Sequence, residues 1–135
     1  LIESVGQVLK NLGLNRAMVV HGDDGLDEIT TTTTTTVCEL NNGVINKYTL
    51  DIEKLGFSKA KIEDIAGGTP SENAQIIIDI LQGHKGPKRD IVVINSGAAL
   101  YAAEIVDSLE EGIKKAEELI DSGKAYEKYK ELIIA

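Results

Sequence analysis

Ala17-Met18-Val19-Val20-His21-Gly22-Asp23-Asp24-Gly25-Leu26-Asp27-Glu28 passes directly from an apolar run into a glycine-rich acidic turn. The apolar residues Ala17 to Val20 predict a short buried strand. In an open α/β sheet the ligand site lies outside the carboxyl ends of the strands, which is where this acidic stretch falls. Asp23, Asp24, Asp27 and Glu28 place four carboxylates within six residues. Like charges this close repel unless something offsets them, and a divalent cation does so. Magnesium takes oxygen ligands, usually one or two carboxylates completed by phosphate and water. The same residues read equally well as a solvated acidic loop capping the next element.

Ahead of this stretch, Leu1, Val5, Val8, Leu9 and Leu12 recur at helical spacing, with Gly13 as a stop. They predict a helix packed on the sheet. Beyond the acidic stretch lies a run of seven threonines, Thr30 to Thr36. A hydroxyl-lined phosphate site is one reading. The stronger one is extended chain, because threonine is β-branched and the run continues into Val37-Cys38-Glu39-Leu40. Asn41-Asn42-Gly43 then separates it from Val44-Ile45-Asn46-Lys47-Tyr48. Asn-Gly between two β-prone segments signals a two-residue hairpin. Antiparallel strands from Thr32 to Leu40 and from Val44 to Leu50 follow, with Leu40 opposite Ile45. Identical threonines specify register weakly, so the start of the first strand is the least defined boundary.

The second half reads as helices. Asp51 to Ala66 is mixed, with a turn at Gly56-Phe57. Gly67-Gly68 before a helix resembles a phosphate loop, but Thr69, Pro70 and Glu72 make a capping box that explains the same residues without a ligand. The helix continues to about Gln82, with Ala74, Ile77, Ile78 and Leu81 inward and Gly83 as its stop. His84-Lys85-Gly86-Pro87-Lys88-Arg89 is the one basic cluster; a phosphate contact is one reading, and a solvated loop is the stronger one. Asp90 to Val106 is apolar all round, and its length and alanines favour a buried helix. Gly97 within it lets another backbone come close. Ser108 and Glu111 form a second capping box. Leu109, Ile113, Ala116 and Ile120 make one apolar stripe, Ser122-Gly123 breaks that helix, and Tyr126, Tyr129, Leu132 and Ile133 mark a last amphipathic one.

A length of 135 residues is one domain's worth, so residues 1–135 are read as a single domain. With aromatics at 4% and no tryptophan, the core must be aliphatic. A formal net charge of −8 argues against nucleic acid and anionic membrane as partners, since both need clustered lysine and arginine. The single cysteine, Cys38, suits a reducing cytoplasm. No run is long and apolar enough for a transmembrane helix. The chain begins with Leu1 rather than Met, which fits a fragment. There is no serine-nucleophile motif, no paired cysteines and no histidine spacing for zinc, so no catalytic residue is assigned. His21 reads as a strand-end residue satisfied by backbone groups, and His84 as a loop residue.

The run Val19 to Thr30, Val-Val-His-Gly-Asp-Asp-Gly-Leu-Asp-Glu-Ile-Thr, resembles the acidic motif of the anthranilate phosphoribosyltransferase family. The similarity continues in Gly68-Thr69-Pro70-Ser71-Glu72-Asn73-Ala74 and Lys85-Gly86-Pro87-Lys88-Arg89-Asp90. It ends in Asp107-Ser108-Leu109-Glu110-Glu111-Gly112 and Asp121-Ser122-Gly123-Lys124-Ala125. The resemblance covers only the C-terminal α/β part of that enzyme. The family's helical N-terminal domain, its glycine-rich phosphate loop and its anthranilate-orienting arginine have no matching segment. It implies an α/β fold of the nucleoside-phosphorylase and phosphoribosyltransferase kind: a central mixed sheet with a parallel strand near Ala17 to His21, a hairpin at Asn42-Gly43, and flanking helices. It also implies transfer of phosphoribosyl from phosphoribosyl pyrophosphate to anthranilate with release of pyrophosphate, in tryptophan biosynthesis. Magnesium is the implied cofactor, held by Asp27 and Glu28, which match the family's metal-binding pair. Asp23 lies outside the pair and reads as a loop cap. The intact enzyme is expected to be a cytoplasmic homodimer joined through the helical domain, and this part alone is expected to be inactive. A nucleoside phosphorylase shares the architecture but lacks the Asp-Gly-Leu-Asp-Glu run. A structural or binding module without catalysis is the remaining reading.

Overall fold

The computed structural model describes residues 1–135. Helix α1 (Ile2–Asn11) stops at Gly13, whose φ of +88° other residues rarely adopt. The predicted inward stripe is rotated: Val5, Val8 and Leu12 are exposed, while Ile2, Gly6 and Leu9 turn inward. A Cβ on Gly6 would stand 2.7 Å from the Cys38 Sγ. The helix therefore rests on its least bulky face, and close approach decides its orientation.

Strands β1 (Arg16–Gly22), β2 (Thr35–Asn41) and β3 (Val44–Leu50) form one sheet in that order. The expected mixed sheet with a parallel first strand is corrected. β1 pairs only with β2, antiparallel, with Val19 opposite Cys38 and His21 opposite Thr36. A parallel partner needs a crossover, usually a helix. Residues 23–34 contain no helix, and the Asp23 N–H donates to the Thr34 carbonyl at 2.9 Å, closing the two strands directly. The hairpin is as predicted. Asn42 and Gly43 both have positive φ, 49° and 82°, as a type I′ turn requires, and Leu40 lies opposite Ile45. β2 begins at Thr35, later than the predicted Thr32.

Residues alternate between the two faces of β2. Val37 joins the main core with Val93 and Ile94, while Cys38 and Leu40 are buried on the α1 side. After the sheet come a 3-10 turn (Ile52–Leu55), ended by Gly56 at φ +88°, and the single-turn helix α2 (Ile62–Ile65). Helix α3 (Pro70–Leu81) opens on the predicted capping box: the Glu72 N–H donates to Thr69 Oγ1 at 3.3 Å, and the Thr69 N–H donates to Glu72 Oε2 at 2.7 Å. Its inner face is Ile76 and Ile80, whereas Ala74 and Ile77 are exposed. The true stripe lies one position to the side of the predicted one.

Helix α4 (Pro87–Ala102) is a helix despite its Ile91-Val92-Val93-Ile94 run. Helix α5 (Leu109–Asp121) buries Leu109, Ile113, Ala116 and Ile120 as predicted. Its second capping box is shifted: Ser108 Oγ accepts from the Glu111 N–H at 3.1 Å, but the Glu111 carboxylate accepts from the Asp107 N–H at 3.0 Å. Helices α4 and α5 cross backbone to backbone at Gly97 and Gly112. Helix α6 (Lys124–Ile133) follows Gly123 and packs against α5 and α3. The core is aliphatic, centred on Ile29, Val37, Ile52, Val93 and Ile94. No helix is long and apolar enough to cross a membrane.

Candidate functional site

The acidic stretch leaves the carboxyl end of β1 through a tight turn. A Cβ on buried Gly22 would meet Asp24 Oδ1 at 2.5 Å and Thr30 Cγ2 at 3.1 Å, so a side chain here would displace the Asp24 carboxylate and crowd Thr30. The Gly22 N–H donates to the Leu26 carbonyl at 2.9 Å, and the Gly25 N–H returns to the Gly22 carbonyl at 2.8 Å. Asp24 Oδ1 accepts from the Leu26 N–H at 3.1 Å.

Threonine hydroxyls then satisfy the first two acids. Thr30 donates to Asp24 Oδ2 at 2.6 Å, and Thr32 donates to the same oxygen. Thr36 donates to Asp23 Oδ1 at 2.8 Å, and Thr34 to its other oxygen. The Thr34 hydroxyl, followed by that of Thr36, holds the Asp23 carboxyl below the usual carboxylate range. Burial pushes Asp24 the other way, but the bonds from Thr30, Thr32 and the Leu26 N–H outweigh it and leave that carboxyl lowered as well. Hydroxyls of a polythreonine run thus act on the protein's own acids. Seven identical residues carry no alternation of their own, so the sequence held no signal of which hydroxyls would face Asp23 and Asp24.

Asp27 and Glu28 stand apart. Both are exposed, and neither makes a hydrogen bond or an ion pair through its side chain. Glu28 borders a cleft of about 290 Å³ between α3 and α4, with Asn73, Ile76, Ile80, Lys88 and Val92 on its walls. Immediately after the pair, Ile29 is fully buried. Its N–H donates to Asn95 Oδ1 at 2.9 Å, and its carbonyl accepts from Asn95 Nδ2 at 2.8 Å. No three His, Cys, Asp or Glu side chains converge on one point. Two unengaged adjacent carboxylates nonetheless suit magnesium, which is bound by one or two carboxylates plus substrate phosphates.

The basic cluster is partly a correction. Lys85 is exposed, but Arg89 is only 3% exposed, with its Nη1 2.8 Å from Asp121 Oδ1, and Lys85 Nζ lies 3.3 Å from Asp121 Oδ2. The Arg89 guanidinium, seconded by Lys85, holds the Asp121 carboxyl below its ordinary range against the effect of burial. Instead of a purely solvated loop, the cluster ties the start of α4 to the end of α5. His84 Nδ1 lies 3.0 Å from the Asp79 carbonyl. His21 is exposed at the strand end.

One network has no sequence signal. Glu39 on β2 accepts from Tyr48 on β3 at 2.9 Å and from Tyr101 on α4 at 2.5 Å. Arg16 on β1 stacks 4.6 Å from the Tyr101 ring centre. Burial, then the bond to Glu39, pushes the Tyr48 hydroxyl well above its ordinary range. These phenols stay protonated at neutral pH and join the sheet to α4.

Residues 1–126 match the family described as the glycosyl transferase family, a/b domain. The anthranilate phosphoribosyltransferase of Clostridium beijerinckii is 67% identical over 132 residues, which cover 98% of this chain and 39% of the relative. That of Acetivibrio thermocellus is 56% identical over 133 residues, with 98% and 39% covered. Among solved structures, the anthranilate phosphoribosyltransferase of Thermus thermophilus superposes with a TM-score of 0.86 at 36% identity, covering 99% of this chain and 40% of that one. The Saccharomyces cerevisiae enzyme in complex with PRPP and Mg superposes with a TM-score of 0.74 at 30% identity over 83% of this chain and 32% of its own. The chain spans about two fifths of the length of the curated relatives it matches.

Proposed function

Because the chain belongs to the glycosyl transferase family through its α/β domain, we propose that it is the acid-bearing part of an anthranilate phosphoribosyltransferase. The reaction proposed for the whole enzyme moves the phosphoribosyl group of phosphoribosyl pyrophosphate onto the amine of anthranilate and releases pyrophosphate. The observation that carries this is the division among four neighbouring acids. Asp23 and Asp24 are engaged by threonine hydroxyls, while Asp27 and Glu28 are left unengaged and exposed at the end of a rigid turn.

Magnesium bound there supplies charge neutralisation for the leaving pyrophosphate. Asp27 and Glu28 hold the ion, and Asp23 and Asp24 hold the turn. Carboxylates and pyrophosphate repel each other, so the two acids would oppose substrate binding unless a dication offset their charge. The groups that bind the sugar phosphate and orient anthranilate belong to the remaining length of the relatives. The proposal carries with it a cytoplasmic location and dimerisation through the helical part of the intact enzyme.

Two measurements test it. Anthranilate fluorescence loss, followed with magnesium and sugar pyrophosphate supplied, should show no turnover by this chain alone. In the intact enzyme, Asp27→Ala with Glu28→Ala should lower turnover at physiological magnesium by at least about a hundredfold, the size of one strong electrostatic contribution. Asp23→Ala should do less. An identical rate and magnesium dependence in wild type and double variant would sink the assignment.

A further inference from the structure

Between the engaged half of the acidic turn and the engaged threonines, Asp27 and Glu28 make no hydrogen bond through backbone or side chain. What holds them in place must act on their neighbours. The nearest anchor is Ile29, whose side chain is fully buried and whose N–H and C=O are both taken by one amide, that of Asn95. The second Nδ2 hydrogen reaches the carbonyl of Ile91, one turn back on α4, at 2.9 Å. That third bond fixes which way the amide faces, because its nitrogen must meet two carbonyls and its oxygen one N–H. Asparagine is also a poor residue for a helix interior, and here it follows fully buried Ile94.

We propose that Asn95 is a positioning residue for the carboxylate pair, clamping the Ile29 backbone to α4 and so setting where Asp27 and Glu28 point. This rests on the magnesium-holding role proposed above for the pair. The physical reason is tolerance. Magnesium demands near-ideal octahedral geometry, and a productive site needs its groups held within about 0.5 Å. The Asp27–Glu28 segment has no regular structure of its own: the acidic turn holds it on the Leu26 side, and the buried Ile29 side chain with the Asn95 amide of α4 holds it on the other. One wall of the Glu28 cleft belongs to the same helix, with Lys88 and Val92 two turns and one turn before Asn95, and α3 supplies the other. Helix α4 therefore bears both on the pair and on one wall of the cleft that Glu28 borders.

The test is paramagnetic broadening of backbone amides in the 135-residue chain, titrated with manganese alone as a magnesium substitute. Wild type should show broadening centred on Asp27, Glu28 and Ile29, removed by Asp27→Asn with Glu28→Gln. Asn95→Ala should weaken manganese binding about tenfold or more, as loss of an outer partner of a metal ligand does. Hairpin resonances around Asn42 and Gly43 should stay in place. Val93→Ala, a buried truncation in the same helix, should lower thermal stability yet leave manganese affinity within about twofold, so a general loss of stability reads differently. If Asn95→Ala does not fold, Asn95→Ser, whose shorter hydroxyl cannot span both backbone groups, is read the same way. Wild-type affinity in the folded Asn95 variant would overturn the positioning role and leave the metal assignment standing. No broadening at Asp27 and Glu28 in wild type would overturn both.

Discussion

Thr35 is one of seven identical neighbours, yet its surroundings make it different from the rest. It is fully buried, pairs with Gly22 and Leu50 across the sheet, and accepts the Thr30 N–H on its hydroxyl at 3.1 Å. Thr35→Val keeps the shape and removes the acceptor, leaving a buried N–H without a partner. Urea unfolding should show a loss of about 1–3 kcal/mol. Thr33 makes no side-chain hydrogen bond, and the even-numbered threonines spend theirs on Asp23 and Asp24. Thr33→Val should stay within about 0.5 kcal/mol of wild type. Chemistry common to the whole run is thus divided by position alone.

Helices α4 and α5 meet where neither has a side chain. A Cβ on Gly97 would lie 2.6 Å from the Ile113 nitrogen, and one on Gly112 would collide with the Gly97 carbonyl oxygen. Both obstacles are backbone, so the helices must move apart to admit a methyl group. Gly97→Ala should cost about 1–3 kcal/mol, the usual range for overpacking, and show as a lower thermal unfolding midpoint. The shift would be felt beyond the crossing, since α4 also carries Asn95, Tyr101 and Arg89, which reach the acidic loop, the sheet and α5.

For the molecule as a whole, net charge and the state of the carboxylates set the response to acid. Asp23, Asp24 and Asp121 titrate below their ordinary range, because of hydroxyl bonds for the first two and the Arg89 pair for the last. In the unfolded chain they return to about 3.9. Their stabilisation is complete above that value and is lost as pH falls through the lower folded-state values, because the unfolded chain takes up the protons first. Asp90 works the other way: burial raises its carboxyl, so it weakens the fold at neutral pH and less so in acid. Urea midpoints should be flat from pH 7 to about 5 and fall steeply below about 4. Asp24→Asn should flatten part of that acid limb.

How much could be read along the chain depended on how far apart the interacting groups lie. The Asn42-Gly43 turn, the Leu40–Ile45 register and the Thr69–Glu72 box involve groups a few residues apart. Dihedral preferences and hydrogen-bond reach settle such features before any tertiary contact forms. The four acids were visible in the same way. Which of them are engaged was not, because that depends on threonines up to thirteen positions away folding back over the turn. Four features stayed out of reach: the antiparallel partner of β1, the rotation of α1 onto Gly6, the burial of Arg89 against Asp121, and the meeting of Tyr48 and Tyr101 on Glu39. Each depends on which surface arrives from elsewhere in the chain and how closely it approaches. An apolar stripe says that a helix has a face to bury, but close packing between distant segments chooses which face it is.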